Sequence, residues 1–192
     1  MYKYVKRWLD ILISLVALPF FGIIFLVLAP AIYFTDKGPV FYNAPRLGQN
    51  GRIFNMYKFR SMRVNAPDLR NADGSTYNGE DDPRVTKIGK LIRKTSLDEL
   101  PQLLNILKGD MSLVGPRPER EFYIKQIIEK APYYALMYQI RPGLTSWGMV
   151  KYGYAQSVDE MIERLQYDIV YLENMSMLVD LKIIIHTVLT DV

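Results

Sequence analysis

Two adjacent carboxylates, Asp98 and Glu99, stand in the run Lys94-Thr95-Ser96-Leu97-Asp98-Glu99-Leu100-Pro101-Gln102-Leu103, with basic residues before them and Gly115-Pro116-Arg117-Pro118 after. An acidic pair among cations suits work on a phosphate ester. One carboxylate can attack phosphorus or hold a divalent cation, while guanidinium and ammonium groups neutralise phosphate oxygens. Ser96 and Glu99 also carry the S-x-x-E spacing of a capping box, so a purely structural use of Glu99 stands beside the chemical one. Leu100, Leu103, Leu104 and Leu107 predict a helix that Gly109 closes. At the start of that helix, backbone donors together with Arg93 and Lys94 are expected to lower the pKa of Asp98. Pro101 fits only a first turn, which leaves Asp98 itself as the other candidate cap.

Further cations come from Lys58-Phe59-Arg60, from Arg117 on its proline-stiffened loop, and from Arg141 in Arg141-Pro142-Gly143-Leu144-Thr145. A guanidinium grips phosphate through two parallel hydrogen bonds, which is the chemical use; a solvated strand edge or a rigid turn is the structural one. Composition removes competing chemistries. The chain has no cysteine and one histidine, which excludes disulfide frameworks, thiolate sites, multi-histidine zinc sites and a His-based hydrolytic triad. His186 lies in an apolar, helically periodic stretch, Leu181–Leu189, and reads as an ordinary helix-face residue. At 192 residues and a net charge of +4, one domain with anionic partners is expected.

These groups must be positioned by a chain that begins with an unusual segment. From Ile11 to Phe34 there are 24 residues without a charge, enough for about 36 Å of helix and a bilayer crossing. Both flanks are positive: Lys3, Lys6 and Arg7 before, and Lys37, Arg46, Arg52, Lys58, Arg60 and Arg63 after. The positive-inside tendency keeps both ends on one face, so a re-entrant helix broken near Pro19, Gly22 or Pro30 is expected. A single crossing and a signal peptide with Ala29-Pro30-Ala31 at its cleavage site are the alternatives. Trp8 and nearby tyrosines suit an interfacial collar.

Beyond this anchor, Pro39 to Phe41 and Arg52 to Phe59, separated by Gly48-Gln49-Asn50-Gly51, predict a small β-hairpin. Asn65 to Asp82 reads as a long loop of the kind that forms lids. Within it, Asn71, Asp73, Gly74 and Glu80 fall in the register of a calcium loop, but Leu69 occupies the first ligand position and argues against one. Arg84, Lys87, Lys90 and Arg93 predict the polar face of a basic amphipathic helix, opposite Ile88, Leu91 and Ile92. Helices are also expected over Glu119–Lys130, Val158–Asn174 and Asp180–Thr190. The fold class expected is α+β and mostly helical, with residues 1–36 as a membrane anchor and residues 37–192 as a cytosolic catalytic domain.

Five motifs in order resemble one family. Lys6-Arg7-Trp8-Leu9-Asp10, Tyr57-Lys58-Phe59-Arg60-Ser61-Met62, Ser96-Leu97-Asp98-Glu99-Leu100-Pro101-Gln102, Lys108-Gly109-Asp110-Met111-Ser112-Leu113-Val114-Gly115-Pro116-Arg117-Pro118 and Arg141-Pro142-Gly143-Leu144-Thr145 resemble those of the bacterial monotopic phosphoglycosyl transferases. The resemblance implies a re-entrant anchor in the inner membrane, a catalytic face toward the cytoplasm, and interfacial amphipathic helices. It implies transfer of a phosphosugar from a UDP-sugar to undecaprenyl phosphate through an aspartyl intermediate on Asp98, with UMP released. Glu99, with Asp98, would ligate Mg²⁺; Lys58, Arg60, Arg93, Arg117 and Arg141 would hold phosphate oxygens.

The implied partners are the UDP-sugar, undecaprenyl phosphate and inner-membrane lipid, with a homodimer admissible; a soluble nucleic-acid binder, suggested by charge and aromatics, is argued against by the 24-residue apolar run, so no nucleic-acid partner is expected. The glycan is of the exopolysaccharide, O-antigen or glycoconjugate kind. Where the family breaks its membrane helix with Ser-Pro, this chain has Gly22-Ile23, so the site of the break is open. Trp147 to Tyr154 looks closest to glucose or galactose phosphate transferases, and the chain is expected to comprise the core unit of larger members. A nonenzymatic lipid-binding scaffold for glycan assembly is the rival reading; it has no use for the acidic pair.

Overall fold

A computed structural model describes residues 1–71, 77 and 81–190. It begins with one helix, α1 (Tyr2–Asp36), helical through both Pro19 and Pro30. The break expected near Pro19, Gly22 or Pro30 does not interrupt the helix. Lys37, in the left-handed region at φ 55°, ends it, its backbone N–H donating to the Tyr33 carbonyl.

At 35 residues α1 extends about 50 Å if straight, and the rest of the protein holds it near both ends. Lys6 pairs with Asp180 at 2.8 Å. Asp10 accepts from Ser112 Oγ and the Leu113 backbone N–H at 2.7 and 3.1 Å. At the far end, Asp36 takes two hydrogen bonds from the Arg60 guanidinium at 2.6 and 2.7 Å. Between these points Ala17 and Phe21 pack on the core, as do Phe25, Leu28 and Ile32. The opposite side, including Leu12, Val16, Phe20, Ile23 and Val27, is exposed.

The hairpin forms as expected, with β1 (Phe41–Leu47) antiparallel to β2 (Ile53–Phe59) and Phe41 opposite Phe59. Its turn uses Asn50 and Gly51 at positive φ, where neither glycine nor asparagine is strongly penalised. Phe54, Met56 and Phe59 face inward from β2.

Next come α2 (Lys87–Lys94) and α3 (Gln102–Lys108), the latter ended by Gly109 at φ 93°. Asn105, fully buried, docks α3 on the hairpin. Its Oδ1 accepts from the Tyr57 N–H at 2.9 Å, and its Nδ2 donates to the Asn55 carbonyl at 2.8 Å. That contact fixes the distance between β2 and the segment leading into α3.

The remaining elements are β3 (Ser112–Val114), α4 (Glu121–Lys130), β4 (Gly143–Thr145), α5 (Trp147–Lys151), α6 (Val158–Glu173) and α7 (Met177–Thr190). β3 and β4 pair in parallel, with Ser112 opposite Gly143. A core of Tyr123, Ile124, Ile127, Met137, Met161 and Leu165 joins α4 to α6.

Two expectations change. Arg84 does not share a face with Lys87 and Lys90: it is buried, paired with Asp82 at 2.7 Å, and donates to the carbonyls of Pro67 and Tyr77. A buried arginine with its carboxylate two residues away serves as a loop clamp rather than a surface charge. Leu91 is 55% exposed, so the apolar side of α2 reduces to Ile88 and Ile92. Asp73, Gly74 and Glu80 of the calcium-loop spacing lie outside the described residues.

Candidate active site

Asp98 and Glu99 occupy a short 3-10 turn, Leu97–Glu99, between α2 and α3. Ser96 enters this turn in the left-handed region at φ 52° and makes no side-chain cap bond. The capping box is not formed. Pro101, which has no backbone N–H, takes the position before α3, so the acidic pair precedes the helix instead of capping it.

From β2, Lys58 reaches into this turn. Its Nζ is 2.6 Å from Glu99 Oε1 and 3.7 Å from Asp98 Oδ2. From the other side Arg117 brings Nη2 to 3.5 Å from Glu99 Oε1. Arg93, the last-turn cation of α2, donates from Nε to Ser61 Oγ at 2.9 Å, and its charge favours ionised Asp98.

The two carboxylates are driven apart. Burial raises the pKa of Asp98, and the Glu99 charge adds to that, against the opposing pull of Lys58 and Arg93. The sequence-based expectation of a lowered value is thus reversed, because desolvation outweighs the neighbouring cations. Burial acts on Glu99 too, but Arg117 and Lys58 overcome it and hold that carboxyl down to about 2. Neighbouring acids pushed in opposite directions are suited to different roles: Glu99 is held as an anion, while Asp98 is a poorly solvated carboxyl.

The Arg117 loop has a steric basis. A Cβ on Gly115 would lie 2.4 Å from the Arg141 carbonyl oxygen, so only glycine admits the close approach of β3 to the β4 strand. The Gly115 N–H donates to the Thr145 carbonyl and the Gly143 N–H to the Pro116 carbonyl, both at 3.0 Å, which immobilises the backbone leading into Arg117.

Two expected phosphate ligands lie elsewhere. Arg60 is buried and spends its donors on Asp36 and on the carbonyls of Ile32, Pro39 and Met62, anchoring the end of α1. Arg141 donates from Nε to the Gly109 carbonyl at 2.8 Å and faces a different cleft.

Three other residues join the site. Arg117 lies over the Tyr154 ring at 5.1 Å from its centroid. Arg46 on β1 is lowered to about 10 by burial and by the charges of Arg120 and Arg117, so it adds to the same cationic wall. Asp168 accepts from the Gly148 N–H at 2.8 Å; burial raises its pKa to about 6, against hydrogen bonds from Gly148, Ser146 and the Arg117 backbone. Arg164 and Asp168 sit on the apolar face of α6, four residues apart, and such buried charges were a readable signal of a polar network.

Among the described residues no cluster of three or more acids and histidines forms a ready metal cage. Two adjacent carboxylates nevertheless fit Mg²⁺, which takes one or two protein carboxylates and fills the rest of its octahedron with phosphate oxygens and water.

A sequence profile described as bacterial sugar transferase matches residues 1–192. The chain belongs to the bacterial sugar transferase family. It is 39% identical over 189 residues to a UDP-N-acetylgalactosamine-undecaprenyl-phosphate N-acetylgalactosaminephosphotransferase of Aeromonas hydrophila, covering 98% of this chain and 44% of that protein. It is 40% identical over 185 residues to a UDP-glucose:undecaprenyl-phosphate glucose-1-phosphate transferase of Klebsiella pneumoniae, covering 95% of this chain and 39% of that protein. An exopolysaccharide production protein of Rhizobium meliloti is 38% identical over 195 residues, covering 95% of this chain and 83% of that protein. This family member thus spans less than half the length of the first two relatives.

Proposed function

We propose that this chain is a phosphoglycosyl transferase unit that moves a sugar 1-phosphate from a UDP-sugar to undecaprenyl phosphate at the cytoplasmic face of the bacterial inner membrane. The observation that carries this reading is the Asp98, Glu99, Lys58 and Arg117 constellation. It couples a desolvated carboxylate to a fixed anion and two cations that suit a diphosphate.

In the first step an Asp98 carboxylate oxygen attacks the β-phosphorus of the donor. The bond from that phosphorus to the bridging oxygen breaks, and UMP leaves with the electron pair, giving an aspartyl-phosphosugar. In the second step an anionic oxygen of undecaprenyl phosphate attacks the same phosphorus. The aspartyl P–O bond breaks, Asp98 is regenerated, and a polyprenyl diphosphosugar forms. Neither nucleophile carries a proton, so the chemistry needs no histidine base, in keeping with a chain whose one histidine packs edge-on against Trp147.

Lys58 and Arg117 act as donors to the charge that spreads over the phosphate oxygens. Glu99, with Asp98, would hold Mg²⁺. The bound ion supplies Lewis-acid neutralisation of the diphosphate.

The membrane part of the reading rests on α1. A long exposed apolar side, beside ends both fastened to the same body, supports a helix that enters one leaflet and stays monotopic. A simple crossing would carry Asp10 or Asp36 away from its partners.

Incubation of the purified chain with Mg²⁺, undecaprenyl phosphate and a panel of UDP-glucose, UDP-galactose and their N-acetylated amino-sugar counterparts tests the activity. UMP release with a lipid-linked product, lost in Asp98→Asn, supports it and names the sugar. No turnover from folded, membrane-bound protein with any donor favours the scaffold reading.

A further inference from the structure

Arg141 is the cation that the active site leaves unused. It lines a cleft of about 70 Å³ at the start of α1, together with Lys3, Lys6, Arg7 and Gln139. Four cations face this space, and Asp10 is its one carboxylate among the described residues. Both Asp10 oxygens are already taken, one by Ser112 Oγ and one by the Leu113 N–H. Lys6 is neutralised by Asp180, outside the cleft.

The two guanidiniums are fastened side by side on the C-terminal end of α3. Arg7 donates to the carbonyls of Ile106 and Leu107 at 2.7 and 3.2 Å, and Arg141 to that of Gly109 at 2.8 Å. Burial first, and then the nearby Arg141 charge, disfavour the charge on Arg7. Helix-terminal carbonyls offset part of that repulsion. Arg141 still has both Nη groups, and Lys3 its Nζ, without a partner among the described residues. A fork of unspent guanidinium donors in a partly shielded cleft is the arrangement that binds a phosphate bidentately.

We infer that this cleft binds the phosphate of an anionic membrane lipid headgroup. The lipid source follows from what surrounds the opening. Tyr4 and Trp8, on the same turns of α1 as Lys3 and Arg7, are 78% and 75% exposed, and an exposed tyrosine and tryptophan flanking a cationic cleft match the headgroup level of a bilayer. The cleft is separate from the Asp98 turn, and its use is a headgroup clamp that fixes the height of α1's first turns in the interface. This rests on the proposed membrane seat of α1 and not on the chemistry at Asp98.

The test is native mass spectrometry of the full chain in a nonionic detergent, titrated with phosphatidylglycerol, with a phosphate-free galactolipid, and with inorganic phosphate. Wild type is expected to retain one phosphatidylglycerol and to discriminate against the galactolipid. Arg141→Gln is expected to weaken retention about tenfold, the loss of one charge-assisted contact. Lys3→Gln, a change at an exposed residue that makes no bond to the fold, serves if Arg141→Gln fails to fold, and it should weaken retention in the same direction. Equal retention by wild type and the folded variants overturns the inference, as does equal binding of galactolipid. Saturation by millimolar inorganic phosphate without lipid selectivity assigns the cleft to a free anion and also overturns it. Turnover in the same wild-type preparation separates the readings: protein that transfers phosphosugar but retains no phosphatidylglycerol strikes this cleft alone.

Discussion

Lys58 Nζ lies 2.6 Å from Glu99 Oε1 and 3.7 Å from Asp98 Oδ2, so one ammonium group on a strand bridges two carboxylates on a 3-10 turn. The arrangement depends on Asn105, whose side chain bonds the backbone of Tyr57 and Asn55 and thereby fixes β2 against α3. Removing the ammonium leaves the two carboxylates side by side with Arg117 and Arg93 as their remaining cations. Lys58→Met is expected to lower kcat/KM for the UDP-sugar by about a hundredfold, the scale seen when one donor to developing oxyanion charge is lost. Steady-state UMP release checks it.

The opposite pKa shifts of the acidic pair give opposite pH behaviour. Glu99 falls from 4.5 to about 2 in the folded protein, so it stabilises the fold at pH values above 4.5 and loses that contribution as pH falls from 4.5 toward 2. Glu99→Gln should flatten the acid limb of stability in that window, read by denaturant unfolding at successive pH values.

Asp98 has the other sign. Its pKa is raised above 3.8 by burial, so the folded state favours the protonated form and the ionised carboxylate works against folding as pH rises. Asp98→Asn is therefore expected to unfold at a higher temperature than wild type at neutral pH while turnover is abolished. The acid limb of kcat/KM in wild type should fall above the ordinary carboxylate range. A thermal melt and a pH–rate profile check the two halves.

Arg60 tests the boundary between anchor and site. Its guanidinium is paired with Asp36 and three backbone carbonyls, so Arg60→Met strands a carboxylate and those acceptors at the end of α1. A loss of about 3 kcal/mol is expected, near the lower end for breaking a buried pair because Asp36 retains some water. The melting temperature should drop, whereas KM for the UDP-sugar in the folded fraction should stay unchanged; a raised KM would return Arg60 to the substrate.

Much of this architecture was legible in the chain. Gly48 to Gly51 marked the hairpin turn, the leucine spacing after Pro101 marked α3, and the apolar period of residues 158 to 172 marked α6. The meeting of the acidic pair with Arg117 was legible through the ordered motifs that carry them, and the fold brings Arg117 Nη2 to 3.5 Å from Glu99 Oε1. What was not legible depends on long-range partners. Arg60 and Arg141 carry the same charge as Lys58 and Arg117, and only the folded chain shows that Asp36 claims one and that the other is turned to the Gly109 carbonyl just past α3. The raised pKa of Asp98 was hidden for a related reason: local cations are visible in the sequence, while the burial that outweighs them is not.

Gly115 supplies a backbone test of the same site. A methyl group there meets the Arg141 carbonyl oxygen at 2.4 Å, so Gly115→Ala should push β3 from the β4 segment and displace Arg117. A cost of about 1–3 kcal/mol is expected from overpacking, together with a raised KM for the UDP-sugar. Denaturant unfolding and donor titration read the two effects.

The central claim is that Asp98 carries the phosphosugar. The most direct measurement is a rapid-quench experiment with a turnover-competent UDP-sugar labelled at the β-phosphate, Mg²⁺ and no lipid acceptor, followed by digestion and mapping of protein-bound label. The account predicts about one equivalent of UMP released per active enzyme, an acyl phosphate sensitive to hydroxylamine on the Asp98 peptide, and discharge of the label when undecaprenyl phosphate is added. Lipid-linked product formed at the full rate with no label on Asp98, or label persisting in Asp98→Asn, would contradict it.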